Sequence, residues 1–293
     1  MRTGKCGFVS GAAVAVLGAG CRSPEPAGPS QATAPAIETT EGDANEADAI
    51  EERLASAAAV GRQLYVLDEV AALATDKLFE EIGDPADEDI AGYIAYREGD
   101  EAGQPKDAWI VAFYTSSTPP AVAHEVRVFD GRDREPEREE FDPAKPAPEG
   151  LAVLIRARET ALAALRDVEQ PINTVVLPES DGPGILVYLL AGSAEPNVAV
   201  MGRHSLARIS ADGSTVVEMR ALSRTVLEIP TFDEEGREPE ALTVTSLDDE
   251  LPSEIHVFLS LLHQLPVFVG TSRGVWRVDG DEISRVDPEA AGS

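Results

Sequence analysis

The segment that ends at Cys21 most strongly constrains how this chain can fold, because it separates a leader from the residues that can build a core. Arg2 and Lys5 give the leader a positive start, and residues 7–17 (GFVSGAAVAVL) form a short apolar stretch without charge. Small residues then lead to the cysteine. Spanning a bilayer takes roughly 20 apolar residues, so the pattern favours a cleavable export signal over a transmembrane helix.

The residues from Leu17 to Cys21 (LGAGC) resemble the lipobox of bacterial lipoprotein precursors. That family usually has Leu three residues before the Cys, whereas here Gly18 holds that position and Leu17 lies one residue further back. The resemblance implies that the Cys21 thiol receives a diacylglycerol, that residues 1–20 are removed, and that acyl chains such as palmitate anchor the new N-terminus. In Gram-negative members of this family, the residue after the lipidated cysteine influences sorting between the membranes. That residue is Arg22 here and not Asp, which implies the periplasmic face of the outer membrane.

The count of cysteines supports the same interpretation. The chain has two, Cys6 and Cys21, and Cys6 would be lost with the signal. An exported protein rarely keeps one unpaired thiol, because such compartments oxidise thiols. Acylation of Cys21 would leave no free thiol. The alternative interpretation is an ordinary secretory signal with an incidental cysteine.

The charge balance excludes one large class of partner. Removing residues 1–20 takes away two of the 24 basic side chains and no acid, which leaves 22 against 53 acidic ones, a net charge of −31. Such a surface repels nucleic acid and anionic lipid, so we expect no nucleic-acid partner and membrane contact only through acyl chains on Cys21. A hydrophobic content of 43% is enough for a packed core.

Composition divides the rest of the chain. Residues 21–47 are rich in Pro, Ala, Ser, Thr and acids, which predicts a disordered tether spanning roughly 25–30 Å. Residues 48–288 are predicted to fold, as one domain or as two lobes meeting near 169–171, and residues 289–293 to form a disordered tail. The last part of the domain, residues 253–286, resembles stretches of uncharacterised bacterial proteins, a resemblance that implies no activity.

Hydrophobic periodicity predicts the elements of this domain. A long helix over residues 49–82 carries an apolar stripe at helical spacing, which Gly61 could divide into two helices. A central helix is predicted over 149–168, after a charged loop over 130–148. The predicted strands cover residues 90–97, 109–115, 123–129, 172–177, 185–191, 222–229, 242–246 and 266–270. Because the strands come in groups with helices between them, the fold class is α+β, with mostly antiparallel sheet and hairpins packed by the N-terminal and central helices.

Two Asp-Gly pairs predict hairpins with two-residue turns, Asp212-Gly213 and Asp279-Gly280. The first turn predicts a register, which places Leu206 opposite Met219, Arg208 opposite Val217 and His204 opposite Ala221. The second turn places Trp276 opposite Ile283 and Arg277 opposite Glu282, so that Trp276, Val278 and Ile283 share a packed face and Arg277 and Glu282 form an ion pair.

The segment Gly270-Thr271-Ser272-Arg273-Gly274 fits the G-x-S-x-G pattern of a nucleophile elbow. That elbow needs a helix after the serine, and residues from Val275 onward alternate as a strand. The Ser…Asp…His order also needs a histidine after Ser272, and all four histidines precede it. We therefore predict a turn between two strands, with no catalytic residue.

Four residues remain as candidates for a polar site: His204, His256, His263 and Glu254. On a helix, His256 and His263 would lie about 10–11 Å apart along the axis, too far to share one zinc ion. On a strand, Glu254 and His256 would share a face, without an obvious third ligand. His204 is predicted to be a hydrogen-bonded core residue. No metal site and no cofactor is predicted.

Two functional hypotheses follow. The first is a membrane-anchored lipoprotein of the cell envelope that acts as a non-enzymatic binding or assembly module, docking an envelope protein or a small-molecule ligand through its sheet. The alternative is an exported hydrolase that uses Ser272 or a histidine-centred site. The sequence does not identify the ligand or substrate.

Overall fold

The fold is described from a computed structural model, which describes residues 41–83, 89–97, 107–131, 133–165, 170–193, 195, 198–223, 227–231, 237, 239–246 and 249–287. The chain divides into two units, residues 1–44 and residues 45–293, and the second is one compact unit that contains all the sheets. The predicted signal, Cys21, most of the predicted tether and the predicted tail at 289–293 lie outside the described residues.

Helices and strands alternate in groups along the chain. The helices are α1 (Glu41–Ile82), α2 (Glu149–Ala164) and α3 (Glu254–His263). The strands are β1 (Ile90–Arg97), β2 (Ala108–Thr115), β3 (Ala121–Phe129), β4 (Glu137–Pro146), β5 (Ile172–Pro178), β6 (Ile185–Ala191), β7 (Val198–Val200), β8 (Ser205–Ile209), β9 (Val216–Ala221), β10 (Glu228–Pro230), β11 (Leu242–Ser246), β12 (Val267–Thr271), β13 (Gly274–Asp279) and β14 (Glu282–Arg285).

These strands form four sheets. Sheet A has the order β1-β2-β3-β4, sheet B the order β5-β6-β8-β9, sheet C pairs β10 with β7, and sheet D has the order β11-β12-β13-β14. All neighbours are antiparallel except β11 and β12, which are parallel because α3 forms the crossover between them. The predicted α+β class with mostly antiparallel sheet is confirmed.

The helices cover both faces of sheets A and B. In sheet A, Val111, Phe113 and Val126 pack against α1, whereas alternate residues such as Ala112 and Tyr114 pack against α2. Sheet B repeats the pattern, since one face packs on α2 and the other contributes to a core shared with α1, α3 and sheet D. Nearly all positions of β2 and β6 are therefore buried, as expected for strands that are covered on both sides.

The helix α1 corrects two predictions. It begins at Glu41, so residues 41–47 do not belong to a disordered tether. No proline follows Pro35 before the helix, and the acids Glu41 and Asp43 lie in its first turn, where the helix dipole favours negative charge. The helix is also continuous through Gly61. A Cβ atom at Gly61 would lie 2.5 Å from the Cβ of Val257 on α3, so this glycine serves a close contact between two helices.

Three predicted boundaries are wrong for local reasons. The predicted loop over 130–148 contains β4, whose polar sequence EREEFDPAKP is compatible with an edge strand although it lacks an apolar period. The helix α2 ends at Ala164, because Leu165 is extended. The predicted strand over 222–229 overlaps only the start of β10, and residues 224–226 lie outside the described ranges.

The predicted register of the first hairpin is wrong. Leu206 faces Arg220 and Ala207 faces Met219, one residue away from the expected pairing. The loop is longer than two residues, since the Ser210 backbone N–H donates to the Thr215 carbonyl. The Asp212 carboxylate accepts hydrogen bonds from hydroxyl and amide groups within this loop, which stabilises the longer form.

The second hairpin turns one residue later than predicted. Asp279 pairs with Glu282, so Gly280 and Asp281 form the turn. The expected ion pair between Arg277 and Glu282 is wrong, because Arg277 faces Ser284 and instead pairs with Asp279 of its own strand. The expected pairing of Trp276 with Ile283 is also wrong, because Trp276 faces Arg285 and Val278 faces Ile283. Val278 and Ile283 do contribute to one packed core, as expected.

We expect Gly61→Ala to destabilise the protein, because the added methyl would also lie 2.6 Å from the Glu254 carbonyl oxygen. The overlap should cost about 1–3 kcal/mol in the free energy of unfolding, more than the gain in helix propensity. Gly150→Ala is the matched control, since Gly150 lies in the first turn of α2 with no atom near its Cβ position. Urea unfolding should show a loss only for Gly61→Ala, and equal stability of both variants would contradict the proposed contact.

Candidate functional site

The helix α3 carries three of the four candidate residues, Glu254, His256 and His263. Its sequence EIHVFLSLLH is apolar on nearly every side, which suits a helix enclosed between α1, sheet B and sheet D. The fourth candidate, His204, lies just before β8. The fold thus brings the candidates to one region, although not into one site.

His256 is a capping residue of α3. The Ser253 backbone N–H donates to His256 Nδ1 at 3.0 Å, so the imidazole takes the role that Glu or Gln has in a capping box. Ser253 Oγ lies 3.1 Å from the same nitrogen. Burial lowers the pKa of His256 to about 4, and the charge of Asp249 opposes this shift only in part. The ring is therefore neutral near pH 7 and is a weak base.

His204 is a hydrogen-bonded core residue, as predicted, although the register behind that prediction was wrong. The Ala191 backbone N–H donates to Nδ1 at 3.1 Å, which leaves the proton on Nε2 to donate to the Val200 carbonyl at 3.2 Å. Burial lowers the pKa of His204 to about 4. Both ring nitrogens are occupied by the backbone, which leaves neither free to bind a ligand.

His263 lies at the C-terminal end of α3, where burial also lowers its pKa. The positive charge of His263 would disfavour protonation of His204, and that of His204 would disfavour protonation of His256. The rings therefore interact electrostatically, although His263 is only partly buried whereas His204 and His256 are fully buried. In the described part of the chain, no group of three or more His, Cys, Asp or Glu residues could hold a metal ion.

Glu254 lies in a cleft that the sequence did not predict. This cleft of about 380 Å³ lies between α1, one end of sheet B and the start of α3. We call it the Glu254 cleft, and its lining residues are Arg53, Ser56, Ala57, Val60, Tyr188, Leu206, Arg220, Asp249, Glu250, Leu251, Pro252, Ser253 and Glu254. None of the three histidines lines it.

Polar and charged side chains surround Glu254 in this cleft. The Tyr188 hydroxyl lies 3.4 Å from Glu254 Oε1, and burial raises the pKa of Tyr188. Arg220 approaches the same carboxylate oxygen at 3.5 Å. Glu254 also lies in the first turn of α3, where the helix dipole favours a negative charge. The carboxylate is thus largely enclosed, with a side-chain exposure of 15%, and is held in place at the cleft floor.

The mouth of the cleft carries a second, more exposed set of charges. Arg53 donates to Glu250 at 2.9 Å, and this hydrogen bond lowers the pKa of the Glu250 carboxyl. Arg273 lies 3.7 Å from the other oxygen of Glu250. Because these side chains are about half exposed, their ion pairs are weak. Contacts to a ligand could replace them at little cost in free energy. The arrangement suits binding of a small molecule that carries polar or charged groups.

The geometry gives little support to nucleophilic catalysis. Ser253 Oγ is within hydrogen-bond distance of His256 Nδ1, but that nitrogen already accepts the backbone N–H of the same serine. Ser272 lies in the loop between β12 and β13, as predicted, and its hydroxyl donates to the Asp249 carbonyl at 3.1 Å. A strand follows it, so the segment is a turn and does not form a nucleophile elbow.

A buried arginine, Arg158 on α2, is the most enclosed charge that the sequence analysis missed. Its guanidinium donates to Tyr114 Oη at 2.7 Å, to Thr174 Oγ1 at 2.8 Å and to Glu159 Oε1 at 2.8 Å. A signal for it was present, because Arg158 falls on the same helical stripe as Leu151 and Ile155. A charged residue on an apolar stripe indicates a buried, paired charge.

Comparisons with protein-family models, with characterised proteins and with solved structures found no match for this chain. Among the described helices, none has both the length and the apolar character that a membrane crossing requires.

Stability should fall on acidification because His204 and His256 are buried as neutral rings. Their pKa values of about 4 lie below the ordinary value of 6.5, so only the unfolded chain takes up protons between these limits. The free energy of unfolding should therefore decrease as the pH falls from 6.5 to 4, by about 3 kcal/mol for each ring, and should lose nothing further from them below pH 4.

The contribution of one ring can be isolated with His256→Gln, whose side-chain carbonyl can still accept the Ser253 N–H. The variant should be less stable at pH 8, yet lose less stability between pH 6.5 and 4 than the wild type in chemical unfolding. An unchanged pH dependence would show that His256 is not buried as a neutral ring.

Proposed function

We propose that this protein is a lipid-anchored lipoprotein of the bacterial cell envelope whose folded body binds a ligand without transforming it. The observation that carries the anchoring is the segment Leu17–Cys21, which resembles a lipobox and ends a leader of suitable layout. Acylation of Cys21 would attach the body to the membrane, and residues 22–40, rich in proline, alanine and threonine, would separate the two. The proposed location is the periplasmic face of the outer membrane.

The observation that supports binding is the Glu254 cleft. Its volume falls in the lower part of the range of small-molecule sites, and its lining combines the apolar side chains of Val60 and Leu206 with the polar groups of Tyr188 and Glu254. Arg53 and Arg220 add positive charge at the rim. We propose that a small polar ligand bearing a cationic group contacts Glu254, while its anionic or hydrogen-bonding groups contact the arginines.

The anchor can be tested with Cys21→Ala, and Cys6→Ala serves as the matched control, because Cys6 lies in the segment that would be removed. The wild type and Cys6→Ala should incorporate an alkyne-tagged fatty acid and partition into the detergent phase of Triton X-114. Cys21→Ala should incorporate none and move to the aqueous phase. If Cys21→Ala remains in the detergent phase, the anchor does not depend on acylation of this cysteine.

The cleft can be tested by placing a photo-crosslinking amino acid at Ser56, which lines the cleft from α1. Phe79 is the control position, since it is exposed on the same helix roughly 35 Å away and does not line the cleft. Irradiation of cells should give a discrete mass increase only from position 56, because only this position faces the ligand. Equal labelling at both positions, or at neither, would contradict a site in this cleft.

The second candidate, an exported hydrolase, is favoured by one distance, the 3.1 Å between Ser253 Oγ and His256 Nδ1. Binding without catalysis requires that a fluorophosphonate probe leaves the wild-type protein unlabelled. Labelling that disappears in Ser253→Ala, and persists in Ser272→Ala, would instead identify Ser253 as a nucleophile and overturn the binding proposal.

A further inference from the structure

The strand β9 forms an exposed edge of sheet B. It lies at the end of the order β5-β6-β8-β9, and its residues from Val217 to Ala221 are all exposed. Two of them are large and apolar, Val217 at 52% exposure and Met219 at 37%. An exposed edge strand offers a row of backbone donors and acceptors to a further strand, and apolar side chains on it favour such pairing.

The edges of sheet A and the opposite edge of sheet B differ from β9. The strand β4 carries Pro143, Lys145 and Pro146, residues that discourage pairing at an edge. The strands β1 and β5 lie beside each other where sheets A and B meet. In contrast, β9 contains neither proline nor lysine. Its only irregularity is a β-bulge near Val217, at its N-terminal end.

The hydrogen bonds to β8 show which backbone groups of β9 point outward. The Leu222 N–H donates to the His204 carbonyl, so the backbone of Leu222 points toward β8. Because these groups alternate along an antiparallel strand, Arg220 also points toward β8, whereas Ala221 and Met219 point away from it. The outward edge therefore presents the N–H and C=O groups of Met219 and Ala221.

This edge is complementary to itself in charge. If two copies of β9 pair antiparallel about a twofold axis at Met219, the two Met219 residues exchange both backbone hydrogen bonds, since their groups point outward. Glu218 of each copy then lies opposite Arg220 of the other copy, on one face. Val217, Met219 and Ala221 meet on the other face. Directly opposed side chains of opposite charge stabilise a strand pair.

The neighbouring symmetric registers lack this match. A pairing centred on Val217 would place Glu218 opposite Val216, and a pairing centred on Ala221 would place Arg220 opposite Leu222. Neither register pairs Glu218 with Arg220, and the closer registers centred on Glu218 or on Arg220 would place that charge opposite its own copy. Among the registers that the outward backbone groups allow, the sequence VVEMRA thus favours the one that places Glu218 opposite Arg220.

We infer that β9 is a self-association surface, through which two copies of this chain form an antiparallel twofold strand pair centred on Met219 and join their B sheets. The interface is a single strand pair, so the association is reversible and depends on concentration. The inference does not depend on the proposed anchor, and it shares only Arg220 with the Glu254 cleft, where this side chain also contacts Glu254.

Charge reversal tests the register. The full chain carrying Cys21→Ser, used throughout so that acyl chains cannot cause association, should show a concentration-dependent dimer in sedimentation equilibrium. Glu218→Arg alone and Arg220→Glu alone should each weaken the dimer by about tenfold or more, because two like-charged pairs replace two ion pairs. The double variant Glu218→Arg/Arg220→Glu should restore it.

This rescue separates the interface from effects within one chain. Glu218 also faces Arg208 on β8, and Arg220 contacts Glu254. Each reversal therefore changes a contact inside the chain, and both contacts stay changed in the double variant. A cooperative thermal unfolding transition of each variant would show that the variant is folded. A monomeric parent chain at every concentration, or a double variant no stronger than the single ones, would overturn the inference.

A backbone variant gives a second, independent test. Met219→Pro removes an N–H that points away from β8, so the fold should persist while the dimer is lost. Met219→Val is the matched control, because it keeps this N–H and an apolar side chain suited to a strand. A folded Met219→Pro variant that still forms the dimer would show that β9 is not the interface.

Discussion

The folded body depends on a buried charge at the junction of sheets A and B. The guanidinium of Arg158 bonds to Tyr114 from sheet A, to Thr174 from sheet B and to Glu159 from its own helix. A charge buried away from water needs its partners. Removing one partner costs several kcal/mol in stability, whereas replacing the whole group by apolar residues often costs little. Because the partners come from both sheets, the arginine is satisfied only when both sheets are in place.

The backbone around this group is shaped to receive it. A Cβ atom at Gly92 on β1 would lie 2.5 Å from the Arg158 guanidinium, so only glycine leaves the required space. Tyr93, the next residue, packs on the other face, against the core that sheet A shares with α1. Burial raises the pKa of this tyrosine, as it does that of Asp68 nearby. The junction is thus occupied by polar groups on both faces.

The Glu254 cleft follows from the same arrangement. The helix α1 packs on sheet A through Val70 and Leu78 and on α3 and sheet B through Leu64. Its position is therefore set by both sheets, and it supplies one wall of the cleft, whereas sheet B supplies the floor. A shift between the sheets would move the wall relative to the floor. The proposed binding in the cleft would in this sense be coupled to the junction at Arg158.

Much of the fold could be predicted from the sequence, and the failures have physical causes. The helix with Leu64 and Leu78 and the buried strand Ile185–Ala191 were predicted because apolar periodicity reflects burial directly. The strand β4 was missed, since an edge strand needs no apolar face. The predicted hairpin registers were wrong, because hydrogen bonds to the Asp212 carboxylate and the position of Gly280 decide where the chain turns.

The candidate site was less accessible to prediction. The sequence marked Glu254 as polar and the histidines as poor zinc ligands, but the cleft joins Glu254 to Tyr188, 66 residues earlier, and only the assembled sheets bring them together. The arginine Arg158 could have been found from its place on an apolar stripe. Its partners could not, since a stripe shows burial and does not show what the buried charge contacts.

The central claim, that the sheets form one cooperative body, can be tested with the two tryptophans. Trp109 lies on β2 in sheet A and Trp276 on β13 in sheet D, so Trp276→Phe and Trp109→Phe each leave a probe in one part. In urea, the fluorescence transition of each variant should coincide with its far-ultraviolet circular dichroism transition, as expected for one cooperative unit. A Trp109 transition separate from that of the whole chain would show that sheet A unfolds independently and would contradict the account.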